Sequence, residues 1–531
     1  MRLWPWLLVL LVLLFVGFIR FRLLDMPLER DEGEYAYAGQ LILQGIPPYE
    51  LAYNMKLPGT YFAYAAGMGV FGQTIAGIHL TLIVANSLTI IFVFLLARKL
   101  FDVTAGLVAC ASYAVLSVSP AVLGMAAHAN HFVVLFGVPA ALLLWQAVET
   151  RSRRILFGSG LLFGLAFLMK QQGVFWGLFA GVVLAGNNWQ KGSAGNLLKD
   201  FFAFGAAMVL PFALVCVMLK LSGVFHEFWF WTFTYARDYV GEESWRDGVR
   251  NLAGYLKATN RVNAGFLLLA LAGVLLPLRN PALRRPFLFA VFFLVFSFMA
   301  TATGLYFRRH YFILTLPAVS VLAGLAVSEL GGILRSRMTK RGAQLVPLAL
   351  FAAILGWGIF FQRNFFFTMS GGEICRTVYR GFPFIEAQVV SEYVAAHSPA
   401  NARLAVVGSE PQIYFYAHRH SATGYILTYA LMEPQPAAMR MQKEMMHEIE
   451  SNQPEYIVWV GFDNSWLARP ASERAIFDWF SAYAGEFYER VGIADTDSDG
   501  KSIYLWDEDA KNYRGKLGQH LGVYKRRTDA H

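Results

Sequence analysis

Leu7-Leu-Val-Leu-Leu-Val-Leu-Leu-Phe-Val-Gly-Phe-Ile19 leads, within one short connection, to Glu29-Arg-Asp-Glu-Gly-Glu-Tyr-Ala-Tyr-Ala-Gly39. The apolar stretch covers roughly 3–24. That is about the 20 residues a helix needs to cross a hydrocarbon core of about 30 Å. It has no clear small-residue cleavage site and runs straight into acidic residues, so it reads as a retained span rather than a removed signal peptide. Ten further apolar runs follow, at roughly 78–98, 103–121, 131–149, 155–169, 172–187, 201–222, 263–279, 286–306, 311–330 and 344–362. Two of them, 155–169 and 172–187, are short and are split only around Lys170-Gln171-Gln172. Of the 531 residues, 56% are hydrophobic and 15% charged, and the mean hydropathy is +0.44. Soluble domains carry about 25% charged residues. A soluble enzyme, a disordered chain and a fibrous protein are thereby excluded, and the chain reads as an α-helical polytopic membrane protein of about 11 transmembrane helices. An aromatic content of 15% suits belts of Trp and Tyr at the two interfaces.

The formal charge of +9 is carried mainly by residues that punctuate the apolar runs. Orientation and lipid contact account for them, and no basic-aromatic module points to nucleic acid. Arg98 and Lys99, Arg151 with Arg153 and Arg154, Lys191 and Lys199, Arg279 with Arg284 and Arg285, and Arg335, Arg337, Lys340 and Arg341 all fall on one side. The positive-inside rule makes that side cytoplasmic and places the N-terminus with it, although Arg20 and Arg22 flank the outer end of the first span. Eleven spans then put the C-terminus outside. Three outer segments result: 25–77, 223–262 and the tail from 363 to 531. The tail has a near-soluble composition. Short β-like runs at 403–408, 456–460 and 502–506 alternate with helical stretches near 385–397, 436–452 and 471–485, which predicts a small α/β extracytoplasmic domain after a membrane domain of residues 1–362. The three cysteines, Cys110, Cys216 and Cys375, form no disulfide or zinc pattern.

The first outer segment holds the richest chemistry. Asp31, Glu32 and Glu34 stand together just after a membrane exit, where mutual repulsion and partial desolvation can tune one carboxylate as a base. The same spacing also suits a plain helix start, with Asp31 as N-cap and Glu34 closing a capping box. In Tyr53-Asn-Met-Lys-Leu-Pro-Gly59 the Pro58-Gly59 turn holds Lys56 near the membrane surface, within reach of an anionic headgroup. Lys170 lies between two short apolar runs, where an ammonium is costly unless paired or useful. Arg308-Arg309-His310-Tyr311 opens the tenth span, and paired arginines can grip phosphate with forked hydrogen bonds. Each cluster alone also suits interfacial anchoring. Together, Lys56, Lys170, Arg308 and Arg309 lie on the outer face that carries Asp31, against the positive-inside trend, and a binding role is preferred. His128 and His131 bracket Asn130 at the start of the fourth span, a spacing that is not specific for metal. The aromatic segment His226-Glu-Phe-Trp-Phe-Trp-Thr-Phe233 reads as an interfacial lid or substrate wall.

These features resemble the lipid-phosphate-dependent C-type (GT-C) glycosyltransferases, in the branch of the protein O-mannosyltransferases and the aminoarabinose transferase of lipid A. The residues that carry the resemblance are Arg30-Asp31-Glu32-Gly33-Glu34-Tyr35, Lys56-Leu57-Pro58-Gly59, Phe167-Leu168-Met169-Lys170-Gln171, and Arg309-His310-Tyr311-Phe312 with Pro317. The resemblance covers most of 1–330 and implies a GT-C fold with interfacial helices in the outer loops. It implies Asp31 as catalytic base and Lys56 as a contact to the donor phosphate. Lys170, Arg308 and Arg309 would be further phosphate or cavity groups, and Glu32, Glu34, Tyr35, Asn130, His310 and Tyr311 would complete the substrate site. Met55 replaces the glutamate that the aminoarabinose branch carries as a metal ligand, and Asn130 replaces an acidic residue common in the family. No metal ligand and no cofactor is therefore assigned, while a divalent metal stays open. The implied reaction is inverting transfer of a sugar from a polyprenyl-phosphate donor to a hydroxyl of a glycan, lipid or protein acceptor. The place implied is a bacterial inner (plasma) membrane. A transporter or lipid flippase without transferase activity is the rival reading, but it would favour paired repeats and broken midplane helices.

Overall fold

The computed structural model describes residues 3–189, 194–497, 500–514 and 518–527. Lys191, counted among the orienting basic residues, lies outside them, as does the side chain of Arg279. The chain builds a helical membrane bundle followed by a sheet-containing tail. The long helices are α1 (Trp4–Phe21), α2 (Arg30–Leu43), α3 (Gly59–Phe71), α4 (Ile75–Leu100), α5 (Val103–Ser117), α6 (Ala129–Thr150), α7 (Arg153–Met169), α8 (Val174–Trp189), α9 (Ala194–Leu221), α10 (Trp245–Leu275), α11 (Arg284–Thr301), α12 (Leu316–Leu334) and α13 (Lys340–Phe361). Among the described residues, eight are long and apolar enough to cross a membrane: α1, α4, α6, α9, α10, α11, α12 and α13. The other three expected runs become α5, α7 and α8, with 15, 17 and 16 residues. Local sequence starts α4, α5 and α7: the side chains of Thr74, Asp102 and Ser152 accept from the backbone N–H groups of Gly77, Ala105 and Ile155.

Two boundaries differ from the sequence reading. The span expected from 263 begins at Trp245, because Ser244 caps a polar stretch that continues into the apolar one as a single 31-residue helix. The tenth span begins at Leu316, after a 3-10 segment, Arg309–Leu314, that carries the basic cluster. Arg20, discordant in the charge pattern, is buried and donates to Asn86 Oδ1 and to the carbonyls of Gly124 and Ser117, so it ties α1 to the bundle.

The tail folds around one six-stranded sheet. Its strands are β1 (Arg403–Val407), β2 (His420–Ser421), β3 (Tyr456–Gly461), β4 (Tyr488–Thr496), β5 (Ser502–Trp506) and β6 (Gln519–Arg526), in the order β2-β1-β3-β6-β4-β5. β1 pairs parallel with β2 and β3, with Val406 opposite Val458, and the remaining pairs are antiparallel. The expected strands match β1, β3 and β5, and helices Phe384–His397, Ala438–Asn452 and Ala475–Phe487 match the expected helical stretches. β4 and β6 lay outside the sequence reading.

The tail rests directly on α2. A Cβ added at Gly33 would lie 2.6 Å from Cβ of Gln412, so only glycine lets α2 approach the short helix Gln412–Ala417. Arg30 donates to the Ser409 carbonyl and pairs with buried Glu410 at 2.6 Å. Tyr37 stacks on Tyr414, and its hydroxyl accepts from the Ser421 N–H at 2.7 Å. The acidic motif is thus held between the bundle and the sheet.

Candidate active site

The first turn of α2 has two faces. Glu29 is its N-cap: the Glu29 carboxylate accepts from the Glu32 N–H at 3.1 Å, and the Glu32 carboxylate accepts from the Glu29 N–H at 3.3 Å. The cap read into Asp31 and Glu34 belongs instead to Glu29 and Glu32. Glu32, expected in the substrate site, is fully buried, accepts from the Ala127 N–H at 2.6 Å and lies 3.3 Å from His79 Nε2. Those partners hold it in the protein interior, away from the cavity described below.

Asp31 and Glu34, three residues apart on the helix, share the other face. Both meet Lys56 Nζ, at 2.8 and 2.7 Å. Glu34 is buried and also accepts from the Tyr61 hydroxyl at 2.6 Å, while Asp31 keeps 27% of its side chain exposed. Lys56 also lies 4.6 Å over the Tyr35 ring. Its position follows from the turn that carries it. The Tyr49 hydroxyl donates to the Lys56 carbonyl, Thr60 donates to the Met169 carbonyl, and Gly59 packs against the backbone of Leu168 too closely for any Cβ. The Lys56 turn is therefore fastened to the end of α7, where Lys170 begins. Lys170 donates to Asn130 Oδ1 at 3.0 Å and lies 4.2 Å over Tyr311.

From the start of the 3-10 segment, Arg308 donates to the Tyr239 hydroxyl at 3.2 Å and lies over Tyr306. Arg309, expected with it at the phosphate, turns away and donates to the carbonyls of Pro120 and Ala121. His310 stacks on His128 with ring centroids 4.3 Å apart, and both approach Asp31 Oδ2, at 3.9 and 3.8 Å.

These groups enclose a cavity of about 190 Å³. Asp31, Lys56, Lys170, Arg308, His310 and Tyr311 line it; Glu34, Tyr35 and Asn130 stand behind as their partners. Burial pushes the Asp31 carboxyl up, but Lys56, His310 and His128 outweigh it and hold Asp31 well below the usual carboxylate range. Burial raises Glu34 despite Lys56. Burial pulls Lys56 down, yet Asp31 and Glu34 overcome it and keep the ammonium charged. Lys170 is pulled down to about 7 by burial and by repulsion from Lys56 and Arg308, which attraction to Asp31 only partly offsets. Burial lowers His128 to about 4 and His310 further below the usual range.

Asp31, His128 and His310 each offer one ligand atom, all within 4.8 Å of one another. Neutral imidazoles suit a cation, and neither ring nitrogen of His128 has a hydrogen-bond partner. The fit is nevertheless incomplete. The only carboxylate of the set is already paired with Lys56 at 2.8 Å, so an ion would meet a resident positive charge. His131, paired with His128 in the sequence reading, is not in this group.

The cavity has walls that no motif announced. Tyr235 and Tyr239 follow the His226–Phe233 segment read as a lid or wall, which itself supplies Trp231, along a helical stretch with a π-helical turn at Phe230–Tyr235. Asn54 and Gln172 come from beside Lys56 and Lys170. Tyr429, Glu433 and Leu467 come from the tail, and only its folding onto the bundle brings them here. Burial raises Glu433 to about 7, and the Tyr235 hydroxyl donates to it.

Residues 56–221 match the family described as dolichyl-phosphate-mannose-protein mannosyltransferase. A Pseudomonas aeruginosa (strain LESB58) protein, undecaprenyl phosphate-alpha-4-amino-4-deoxy-L-arabinose arabinosyl transferase, is 31% identical over 238 residues, 42% of this chain and 40% of that protein. A second transferase of that name from Pseudomonas fluorescens (strain Pf0-1) is 27% identical over 230 residues, 41% of each chain. The matched stretch spans less than half the length of these curated relatives. In fold, the chain is similar to ArnT from Cupriavidus metallidurans bound to undecaprenyl phosphate, with a TM-score of 0.62 at 15% identity over 100% of this chain and 99% of that one. It is also similar to the oligosaccharyltransferase AglB from Archaeoglobus fulgidus, solved with an inhibitory peptide and a dolichol-phosphate, with a TM-score of 0.54 at 13% identity over 95% and 74% of the chains. The family match begins after the acidic motif and takes in the Lys56 turn and Lys170, while the likeness in fold to these glycosyltransferases extends over the chain, a helical membrane architecture with a small sheet near its C-terminus.

Proposed function

We propose that this protein is an inverting glycosyltransferase that moves a sugar from a polyprenyl-phosphate donor to an acceptor hydroxyl. One observation carries the reading: the Asp31 carboxylate, salt-bridged to Lys56, and two further cations, Lys170 and Arg308, converge on one cavity beside the membrane bundle, with Glu433 of the tail also in its lining. A phosphate leaving group needs no general acid. It needs positive charge where negative charge develops, and the acceptor needs a carboxylate to take its proton. In the proposed step the acceptor oxygen attacks the anomeric carbon as the bond from that carbon to the phosphate oxygen breaks. The electron pair leaves on the phosphate, facing Lys56, Lys170 and Arg308, and the hydroxyl proton passes to Asp31. Attack opposite the leaving group inverts the centre.

The pairing of Lys56 supports an order of events. Before donor arrives, the ammonium holds Asp31 ionised but weakly basic. A phosphate draws part of that positive charge to itself, and Asp31 recovers basicity as the donor seats. No step needs a metal on Asp31, His128 and His310, and an ion there would compete with Asp31 acting as base. The names of the relatives support an undecaprenyl- or dolichyl-type lipid carrier. The sugar acceptor is a glycan, lipid or protein at the outer face. The chain is placed in a bacterial inner membrane with its N-terminus cytoplasmic, residues 1–362 as the transfer unit and 363–531 as the extracytoplasmic region that closes the site.

The test is sugar transfer in membrane vesicles, with a panel of labelled polyprenyl-phosphate sugars and the Asp31→Asn variant alongside the wild type. The reading requires label to reach an acceptor with the wild type and transfer to slow by about a hundredfold or more with Asn, the size expected for losing a general base. Equal transfer by both removes Asp31 from the base role. No transfer with any donor, combined with donor movement across the bilayer, favours a flippase.

A further inference from the structure

Two side chains lining the cavity carry polar atoms that nothing in the protein engages. Asn54 is 7% exposed and its Nδ2 has no hydrogen-bond partner; its Oδ1 accepts from the Met55 N–H at 2.6 Å, which fixes the amide's orientation. Gln172 is 6% exposed and its Oε1 is likewise unpartnered. An unmade hydrogen bond at a buried amide is costly, so such groups persist where a ligand or an ordered water completes them. Asn54 stands two residues before Lys56, and Gln172 two residues after Lys170. Both residues line the same cavity as Lys56 and Lys170, the cations proposed above to hold the donor phosphate. Glu433 of the tail, in the same lining, is 8% exposed and is anchored by the Tyr235 hydroxyl.

We infer that Asn54, Gln172 and Glu433 form the subsite that reads the transferred sugar. Asn54 Nδ2 donates to a sugar oxygen, Gln172 Oε1 accepts from a sugar hydroxyl, and the Glu433 carboxyl holds a second hydroxyl. The ligand class is a single hydroxylated monosaccharide on a lipid phosphate, and the tail takes part in choosing it. This rests on the transferase reading above. It goes further in separating the groups that hold the phosphate from the groups that hold the sugar.

Binding of two probes to the full-length protein in detergent or nanodiscs tests the separation: bare undecaprenyl phosphate, and the undecaprenyl-phosphate sugar that the vesicle panel shows to be productive. Asn54→Leu and Gln172→Leu should each weaken the sugar-bearing probe by about tenfold, the scale of one lost buried hydrogen bond. Bare undecaprenyl phosphate should change by less than about twofold. Glu433→Ala should show the same split. Asn54→Ser and Gln172→Glu, which keep a polar group, serve where leucine prevents folding, and should shift the preference among sugars in the panel. Equal weakening of both probes would show that the amides serve the phosphate or the fold. No change in either probe would show that ordered water satisfies them, and both results overturn the inference. A wild type that binds neither probe overturns the transferase reading itself, a result distinct from the other two.

Discussion

Glu29 and Glu32 on one face of α2, and Asp31 and Glu34 on the other, are the same kinds of residue within six positions of sequence, yet the structure uses them differently. The first pair satisfies backbone N–H groups. Glu29 and Glu32 cap each other's ends of the turn, and Glu32 also accepts from the Ala127 N–H. The second pair faces a cation, Lys56, delivered from a separate turn. Within the second pair, exposure divides the roles again. Glu34 is buried and takes a second hydrogen bond from Tyr61, whereas Asp31 opens onto the cavity. A carboxylate with all its lone pairs engaged is a fixture of the fold. One with an open side can exchange a proton with a substrate.

Exchanging carboxylates for amides on the two faces tests this contrast most directly. Asp31→Asn should slow sugar transfer by about a hundredfold or more, while the protein stays folded in detergent because Lys56 keeps Glu34 as a partner. A variant that loses activity together with stability would move Asp31 to the structural face.

Glu32→Ala should do the opposite. It strands the Ala127 N–H and removes half of the capping box, at a cost of about 1–3 kcal/mol. Transfer per folded molecule should be retained to within a few-fold. If the Ala variant is fully stable but inactive, Glu32 belongs with the substrate, as the motif alone suggested.

The division between the faces was only half legible in the sequence. Spacing identified an acidic turn after a membrane exit, and helical periodicity grouped Asp31 with Glu34. Capping rules pointed to a register beginning at Asp31, not to the one that forms at Glu29, because Glu is uncommon as a cap and Asp is a preferred one. Tertiary contacts, with the Ala127 N–H and His79 awaiting Glu32, decided between them. The membrane runs were legible because each needs a long apolar stretch whatever it packs against. The polar first half of α10 was not, since its helicity continues through residues that look like a loop. Arg309 read as a phosphate ligand because it adjoins Arg308, but a 3-10 turn points neighbouring side chains in different directions, and Arg309 meets backbone carbonyls instead. Glu433 carried no local signal at all. Its place in the cavity depends on the tail docking across Gly33 and Arg30.

Lys56 links the two carboxylates of the open face, and its removal should have a smaller effect on binding than Asp31→Asn has on rate. Lys56→Met should weaken bare undecaprenyl phosphate by about tenfold, the order expected for one charge-assisted contact in a site that retains Lys170 and Arg308. Unchanged binding would leave Lys56 as a partner of Asp31 and Glu34 alone.

The smallest expected effect is a pH dependence that only the open face can show. Lys170 titrates near 7 in the free protein, because burial and two neighbouring cations disfavour its charge. Below pH 7 it is protonated and ready for phosphate. Above pH 7 it is mostly neutral, and donor binding must take up a proton to restore the ammonium. Affinity for undecaprenyl phosphate should therefore fall between about pH 7 and 8.5, by at most tenfold per unit, and Lys170→Gln should flatten the profile. Fold stability moves the other way over this window. The unfolded chain, with an ordinary lysine near 10.4, binds more protons than the folded one, so Lys170 makes stability rise with pH. A loss of affinity caused by unfolding would fall in step with stability, whereas a loss caused by Lys170 runs against it. Measuring binding and unfolding on the same samples separates the two, and a profile that survives Lys170→Gln unchanged would remove Lys170 from the phosphate site.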